Sequence, residues 1–336
     1  MTRLTQAIVN LTRLTSLSTR VLADVPFAAT AFVQRPPSYT VPAFVNAGAG
    51  YFGGGLDSAS IDGIDKITFP ADTKTTLSAT LTTARAVLAG MANSLVAGYF
   101  GGGLDSVLVS GIDKVTFPAD TKTTLSATLT SARRLLAAMA NSGVAGYFGG
   151  GLDSANIDGI DKITFPADTK TTLSATLTSA IFALAGMANS GVAGYFGGGT
   201  GPVSGIDKIT FPADTKTTLS ATLSSARSNL SAMANSGTAG YFGGGYTTVA
   251  ISGIDKITFS ADNRTTLSAT LTSGVYSLSA MANSGTAGYF GGGNDDTNRL
   301  SRTDKITFPA DTKTTISATL TTARQSLAGM ANSGSL

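Results

Sequence analysis

The stretch Gly98-Tyr99-Phe100-Gly101-Gly102-Gly103 decides the fold, because it is one of six copies. The phrase recurs around Tyr51, Tyr99, Tyr147, Tyr195, Tyr241 and Tyr289, with steps of 48, 48, 48, 46 and 48 residues. Each copy continues through a loop, an Asp-Lys-Ile/Val-Thr-Phe string, a Pro/Ser-Ala-Asp turn, a Thr-rich segment and a Met-Ala-Asn-Ser phrase. A fixed period is read before local structure, because it specifies one supersecondary unit used repeatedly. In the second copy four short segments predict strands, over 88–93, 96–101, 112–117 and 123–129. In the last of these, Leu125, Ala127 and Leu129 alternate with Thr124, Ser126 and Thr128, which is the period of a strand. Phe117-Pro118-Ala119-Asp120 has hairpin chemistry, since Pro presets φ and Asp binds its own backbone. A unit of this length with four antiparallel strands is a propeller blade. The expected fold class is therefore all-β, a six-bladed β-propeller; the density of Gly and Thr opposes a helical solenoid of the same period.

The two ends of the repeat array predict how the ring closes. Residues 327–333 repeat the first-strand phrase without the Tyr-Phe strand that follows it elsewhere, and the first Tyr-Phe strand, 49–53, lacks that phrase before it. Pro42 falls where Gly90 sits in the next copy, and proline is disfavoured in a central strand. The C-terminal strand is therefore expected to complete the first blade, pairing edges otherwise left open.

Composition narrows the chemistry. The 336 residues include no Cys, His or Trp, and all twenty acids are Asp. Missing thiols and imidazoles remove most zinc sites, thiolate nucleophiles and Ser-His-Asp triads. Asp-only catalysis, binding and architecture remain. The net charge of +3 lies in residues 1–48, where Arg3, Arg13, Arg20 and Arg35 face Asp24 alone. The rest is neutral, so no nucleic-acid partner is expected. No apolar run of eighteen residues exists and polar residues break up the first twenty, so neither membrane insertion nor a signal peptide is expected.

The repeat resembles kelch-type propellers over residues 49–336. The resemblance is carried by the Gly-Gly ending the second strand, the 69–76 hairpin, and an Arg entering the first strand at Arg85, Arg133, Arg227 and Arg324. Ile181 and Val275 replace that Arg in two copies, and no Trp stands in the hairpin. The near-identical copies, with Ile-Asp-Lys-Ile-Thr-Phe-Pro-Ala-Asp-Thr-Lys-Thr-Thr, also resemble kelch-like arrays in tail-fibre or virion-appendage proteins of tailed, cyanophage-type phages. That resemblance implies a structural, virion-borne protein that recognises a host surface.

Comparison of the copies locates a candidate binding face. The second-to-third loops vary in length and character, at 56–63, 104–111, 152–159, 200–205, 246–253 and 294–303. The fourth-to-first junctions vary in residue type, at 85–87, 133–135, 181–183, 227–229, 275–277 and 324–326. In a four-stranded meander these two connections emerge at the same end, and loops on a rigid scaffold commonly carry recognition. Candidate ligand-binding residues are Asp57, Asp62, Asp105, Arg133, Arg134, Asp153, Asp158, Tyr246, Tyr276, Asp295, Asp296, Arg299 and Arg302. The Asp-rich loops lack EF-hand spacing and a Glu, so turn formation is preferred over calcium and no metal or other cofactor is expected. The Asp-Lys pairs at Asp65, Asp113, Asp161, Asp207, Asp255 and Asp304 recur in every copy, with Asp expected to cap a loop or to meet a backbone amide between blades and Lys to face solvent. Sixfold repetition marks such carboxylates as structural, since acid–base catalysis needs an unequal pair; no catalytic residue is assigned.

The expected domains are an N-terminal attachment arm with a Pro-rich tether, 1–44, and the propeller, 45–336. Leu4, Ile8, Leu11, Leu14 and Val21 fit a short amphipathic helix or about three imperfect heptads, and Pro26, Pro36, Pro37 and Pro42 an extended tether. An apolar arm outside the ring wants a partner: other virion proteins or a second copy of the chain. The expected function is a non-enzymatic virion appendage, localised to the extracellular particle, whose variable loops meet a host glycan or protein. The alternatives are a kelch-like scaffold outside a virion and an Asp-based carbohydrate-active enzyme.

Overall fold

In the computed structural model, residues 48–332 are described. The first copy supplies β1 (Ala49–Gly53), β2 (Ile64–Thr68) and β3 (Thr73–Thr76). Blade two is β4 (Ala89–Asn93), β5 (Ala97–Gly101), β6 (Ile112–Thr116) and β7 (Thr121–Thr124). Blade three is β8 (Ala137–Asn141), β9 (Ala145–Gly149), β10 (Ile160–Thr164) and β11 (Thr169–Thr172). Blade four is β12 (Ala185–Asn189), β13 (Ala193–Gly197), β14 (Ile206–Thr210) and β15 (Thr215–Thr218). Blade five is β16 (Ser231–Asn235), β17 (Ala239–Gly243), β18 (Ile254–Thr258) and β19 (Asn263–Thr266). Blade six is β20 (Ser279–Asn283), β21 (Ala287–Gly291), β22 (Thr303–Thr307) and β23 (Thr312–Ile316). The last strand, β24 (Ala328–Asn332), returns to blade one, giving the order β24-β1-β2-β3.

Ring closure follows the expectation from the chain ends. β24 pairs antiparallel with β1, from Ala49 opposite Asn332 to Gly53 opposite Ala328. The inner strands β4, β8, β12, β16, β20 and β24 touch their neighbours in that order and close on β4. The protein is thus an all-β, six-bladed propeller, with no helix among the described residues. The helix and tether expected over residues 1–44, including Leu4, Ile8, Leu11, Leu14 and Val21, lie outside the described residues.

The Tyr-Phe strand is buried at all five positions in every blade, because blades cover both of its faces. Tyr51 faces forward, stacks on Phe117 of blade two at 5.0 Å and donates its hydroxyl to Asp120 at 2.8 Å. Phe52 faces backward onto Gly291 of blade six, where a Cβ would stand 2.7 Å from the ring. Met281 of blade six presses on Gly50 in the same way, which makes the repeated Met a packing residue. Each fully buried aromatic adds about 1.5–3 kcal/mol of apolar burial.

Two sequence expectations need correction. The outer strand ends at Thr124, short of the expected 123–129 segment. Beyond it the regular ladder gives way to isolated bonds to the same blade, from the Leu125 amide to the Ile112 carbonyl and from the Leu129 amide to the Ser110 carbonyl, before the Thr130 amide reaches Asp161 of the next blade. Lys66, expected to face solvent, instead reaches Asp120 of blade two at 2.6 Å and lies over the Tyr51 ring. That contact is possible because Asp120 adopts φ 55°, which short polar side chains tolerate.

Candidate functional site: the variable face around the axis

One face of the ring is nearly invariant. There the Ser94, Ser142, Ser190 and Ser236 amides donate to the hydroxyls of Ser142, Ser190, Ser236 and Ser284 in turn. Asn93, Asn141, Asn189 and Asn235 accept from the Gly143, Gly191, Gly237 and Gly285 amides. Gly48, the first described residue, belongs to this face: its carbonyl accepts from the Phe69 amide, as Val96 accepts from Phe117.

The opposite face holds both variable segments, joined by main-chain pairing. Leu56 bridges to Gln325, Ala86 to Leu104, Arg134 to Leu152, Ser228 to Tyr246 and Tyr276 to Asn294. In blade four the Thr200 amide bonds the Phe182 carbonyl. Around the axis the third residue of each junction builds a ring that sequence reading missed. The Leu135 amide donates to Val87, Ala183 to Leu135, Asn229 to Ala183, Ser277 to Asn229, Ser326 to Ser277 and Val87 to Ser326. All six have φ between 51° and 58°, a conformation disfavoured for side-chain-bearing residues and here held by the closed hydrogen-bond circle. Val87, Leu135 and Ala183 make one half of the mouth apolar, while Asn229, Ser277 and Ser326 make the other half polar. A cavity of about 80 Å³ lies between them. The shared position in the variable triplets was the only signal for this ring; its hydrogen bonds link residues 46 to 239 positions apart.

The expected site residues divide into groups. Tyr246 and Tyr276, from blades five and six, meet edge to face with centroids 5.1 Å apart. Burial, then the nearby Asp296 charge and Tyr246, push the Tyr276 hydroxyl up from its ordinary pKa. Asp296 accepts from the Ala250 amide of the neighbouring loop at 2.9 Å, and Arg299 reaches toward Asp57 of blade one at 3.9 Å. Tyr246, Tyr276, Asp296, Arg299 and Asp57 thus form one sector spanning blades five, six and one. Arg134 is partly exposed in blade three, and Asp62, Asp105 and Asp158 are exposed on separate blades. Asp153 and Asp295 are turned onto their own loops: Asp153 accepts the Ala155 amide, and Asp295 the Thr297 and Asn298 amides. The Ala155 amide foremost holds the Asp153 carboxyl below its usual range. Among the described residues no group of three acids converges as a cation site.

Arg133 is a correction. It is 2% exposed, so it presents nothing to a ligand. Its Nη2 donates to the Phe148 carbonyl and to Asp161 Oδ2, both at 3.1 Å. Arg85, Arg227 and Arg324 do the same work in their blades. Arg302 is half-buried beside Asp304 at 3.8 Å and donates to the Ser273 hydroxyl. It therefore supplies a cation in the blade where Val275 replaces the Arg.

The repeated carboxylates are bound between blades. Asp113 accepts the Thr82 amide at 2.9 Å and the Thr82 hydroxyl at 2.5 Å, from the preceding blade. Burial alone would raise the carboxyl, but the Thr82 hydroxyl and amide, Arg85 and Thr124 outweigh it and leave the pKa lowered. Asp65 and Asp161 are lowered by the same balance. These groups hold the ring together.

In comparison with known proteins, no family model and no curated protein matches this chain. The fold and the geometry of the variable face therefore carry the functional reading.

Proposed function

We propose that the protein is a non-enzymatic recognition module of a virion appendage, such as a tail fibre. In this reading the kelch-like propeller displays its variable face to a host-surface glycan or protein, and residues 1–44 attach it to other virion proteins. The observation that carries the reading is polarity. Differences among the copies gather on the face around the axial mouth, while the opposite face is nearly invariant. Varied loops on one face of a rigid scaffold are where recognition residues are commonly presented. The Tyr246–Tyr276 pair beside Asp296 and Arg299 supports a glycan or polar peptide as that ligand, since aromatic faces and charged hydrogen-bonding groups recur in such sites.

The test uses purified particles and isolated protein. Replacing Tyr246, Tyr276, Asp296 and Arg299 by Ala should lower host-surface or glycan-array binding by about tenfold or more, with thermal stability preserved. Deleting residues 1–44 should leave binding intact and abolish incorporation into particles. Undiminished binding by the quadruple variant overturns the recognition role, and normal incorporation of the truncated chain overturns the attachment role. Recovery of one cellular partner without particles would assign a scaffold instead, and sugar release lost on mutating a single Asp pair would assign a carbohydrate-active enzyme.

A further inference from the structure

Blade four departs from its siblings twice, and the two departures meet. In blades one, two, three and five an Arg places Nη2 2.9–3.2 Å from the carbonyl of the second-strand Phe. The same nitrogen lies 3.0–3.3 Å from Oδ2 of the third-strand Asp. In blade six Arg302 takes over beside Asp304. In blade four Ile181 covers only the place of the Arg stem, lying against Gly199 as Arg85 Cδ lies against Gly103. The covering loop, 200–205, is six residues long where blade three has eight, 152–159.

The result is a cavity of about 90 Å³ beside Asp207, walled by Ile181, Leu184, Phe196, Val203 and Ile206, with Thr178 and Ser179 exposed at its rim. One water requires only about 10–15 Å³ by the same measure, so a planar ion fits. Asp207 Oδ2 accepts the Thr178 amide at 2.7 Å, and among the described residues its only paired cation is Lys216, 3.6 Å from the other oxygen.

We propose that this cavity binds a guanidinium group, either a free small ion or an arginine side chain of a partner. The chain carries its own demonstration of the fit: four other blades place a guanidinium between the same two acceptors, a Phe carbonyl and an Asp Oδ2. Apolar walls favour the weakly hydrated, planar guanidinium over the strongly hydrated ammonium. The proposal does not depend on where the propeller is carried or on what its remaining loops bind.

Calorimetric titration of the full chain with methylguanidinium tests it. Saturable binding is expected, weakened at least several-fold for methylammonium and lost in Ile181→Arg, whose own guanidinium occupies the position. Asp207→Asn should also lose it; if that variant misfolds, Ile181→Arg, which restores the ion pair of the other blades, still decides. Acetyl-arginine-amide is the second arm. Binding as tight as methylguanidinium assigns a side chain entering past Ser179, whereas weaker binding assigns a free ion. No saturable heat with the wild type, or unchanged heat with Ile181→Arg, overturns the proposal.

Discussion

Asp113 shows how much structure one carboxylate carries. It is fully buried, accepts from the preceding blade through Thr82 and from its own blade through Thr124 and Arg85, and so ties a crossover to a sheet. Removing one partner of such a pair leaves an uncompensated buried charge, which costs far more than the intact pair contributes. Arg85→Ala should therefore destabilise the protein by about 3–5 kcal/mol, read from urea denaturation. The bonded Arg and Asp stand 28 residues apart in three copies, yet nothing in that spacing announces burial; Arg133 read as a surface residue for this reason. Thr303 presents the opposite case. It stands where five copies have Ile, is fully buried, and its hydroxyl has no partner. Thr303→Val keeps the shape, removes the unsatisfied group and should stabilise by about 1 kcal/mol, measured in the same way.

At the scale of the strand, Ala-Gly-Tyr-Phe-Gly lacks the polar alternation of a half-exposed sheet because neighbouring blades cover both faces. Its glycines are where facing side chains come closest: a Cβ on Gly101 would stand 2.6 Å from the Phe148 ring. That ring is itself enclosed, so Gly101→Ala should cost about 1–3 kcal/mol through overpacking. A lowered thermal midpoint with an unchanged circular-dichroism spectrum would show it. Strand existence was legible in hydrophobic period and turn residues, and the inner three strands end within about a residue of their expected limits. The outer strand was not: the alternation of Leu125, Ala127 and Leu129 persists after the chain leaves the ladder, because those side chains pack inward during the crossover. Period reports which side is buried, whatever the backbone bonds to.

For the whole molecule, the titrating groups predict a broad plateau of stability bounded at both ends. The Asp65, Asp113 and Asp161 pKa values are lowered in the fold, so their contribution is complete above the unfolded value of about 3.9 and is lost as pH falls through the folded values. Burial first, and then the hydrogen bond to Asp, raise the six blade tyrosines. Their contribution is complete below about 10 and is lost as pH rises beyond it. With no His or Cys in the chain, no side chain has an ordinary pKa near neutrality. Thermal midpoints should vary little between about pH 5 and 9 and fall outside that range; a marked step near pH 6–7 would contradict this. What the sequence by itself determined was the number of blades, their strand order and the ring's closure, because sixfold periodicity and the truncated phrases at 49 and 327–333 are one-dimensional signals. It also placed the variable segments at one end of the blades, since hairpin connections alternate. Only the tertiary structure decided which charges are buried, which junction residues circle the axis, and that blade four leaves a cavity beside its Asp. Those properties arise from contacts between blades and between segments distant along the chain, where the identity of a residue says what it can bond and only the packed ring says what stands within reach.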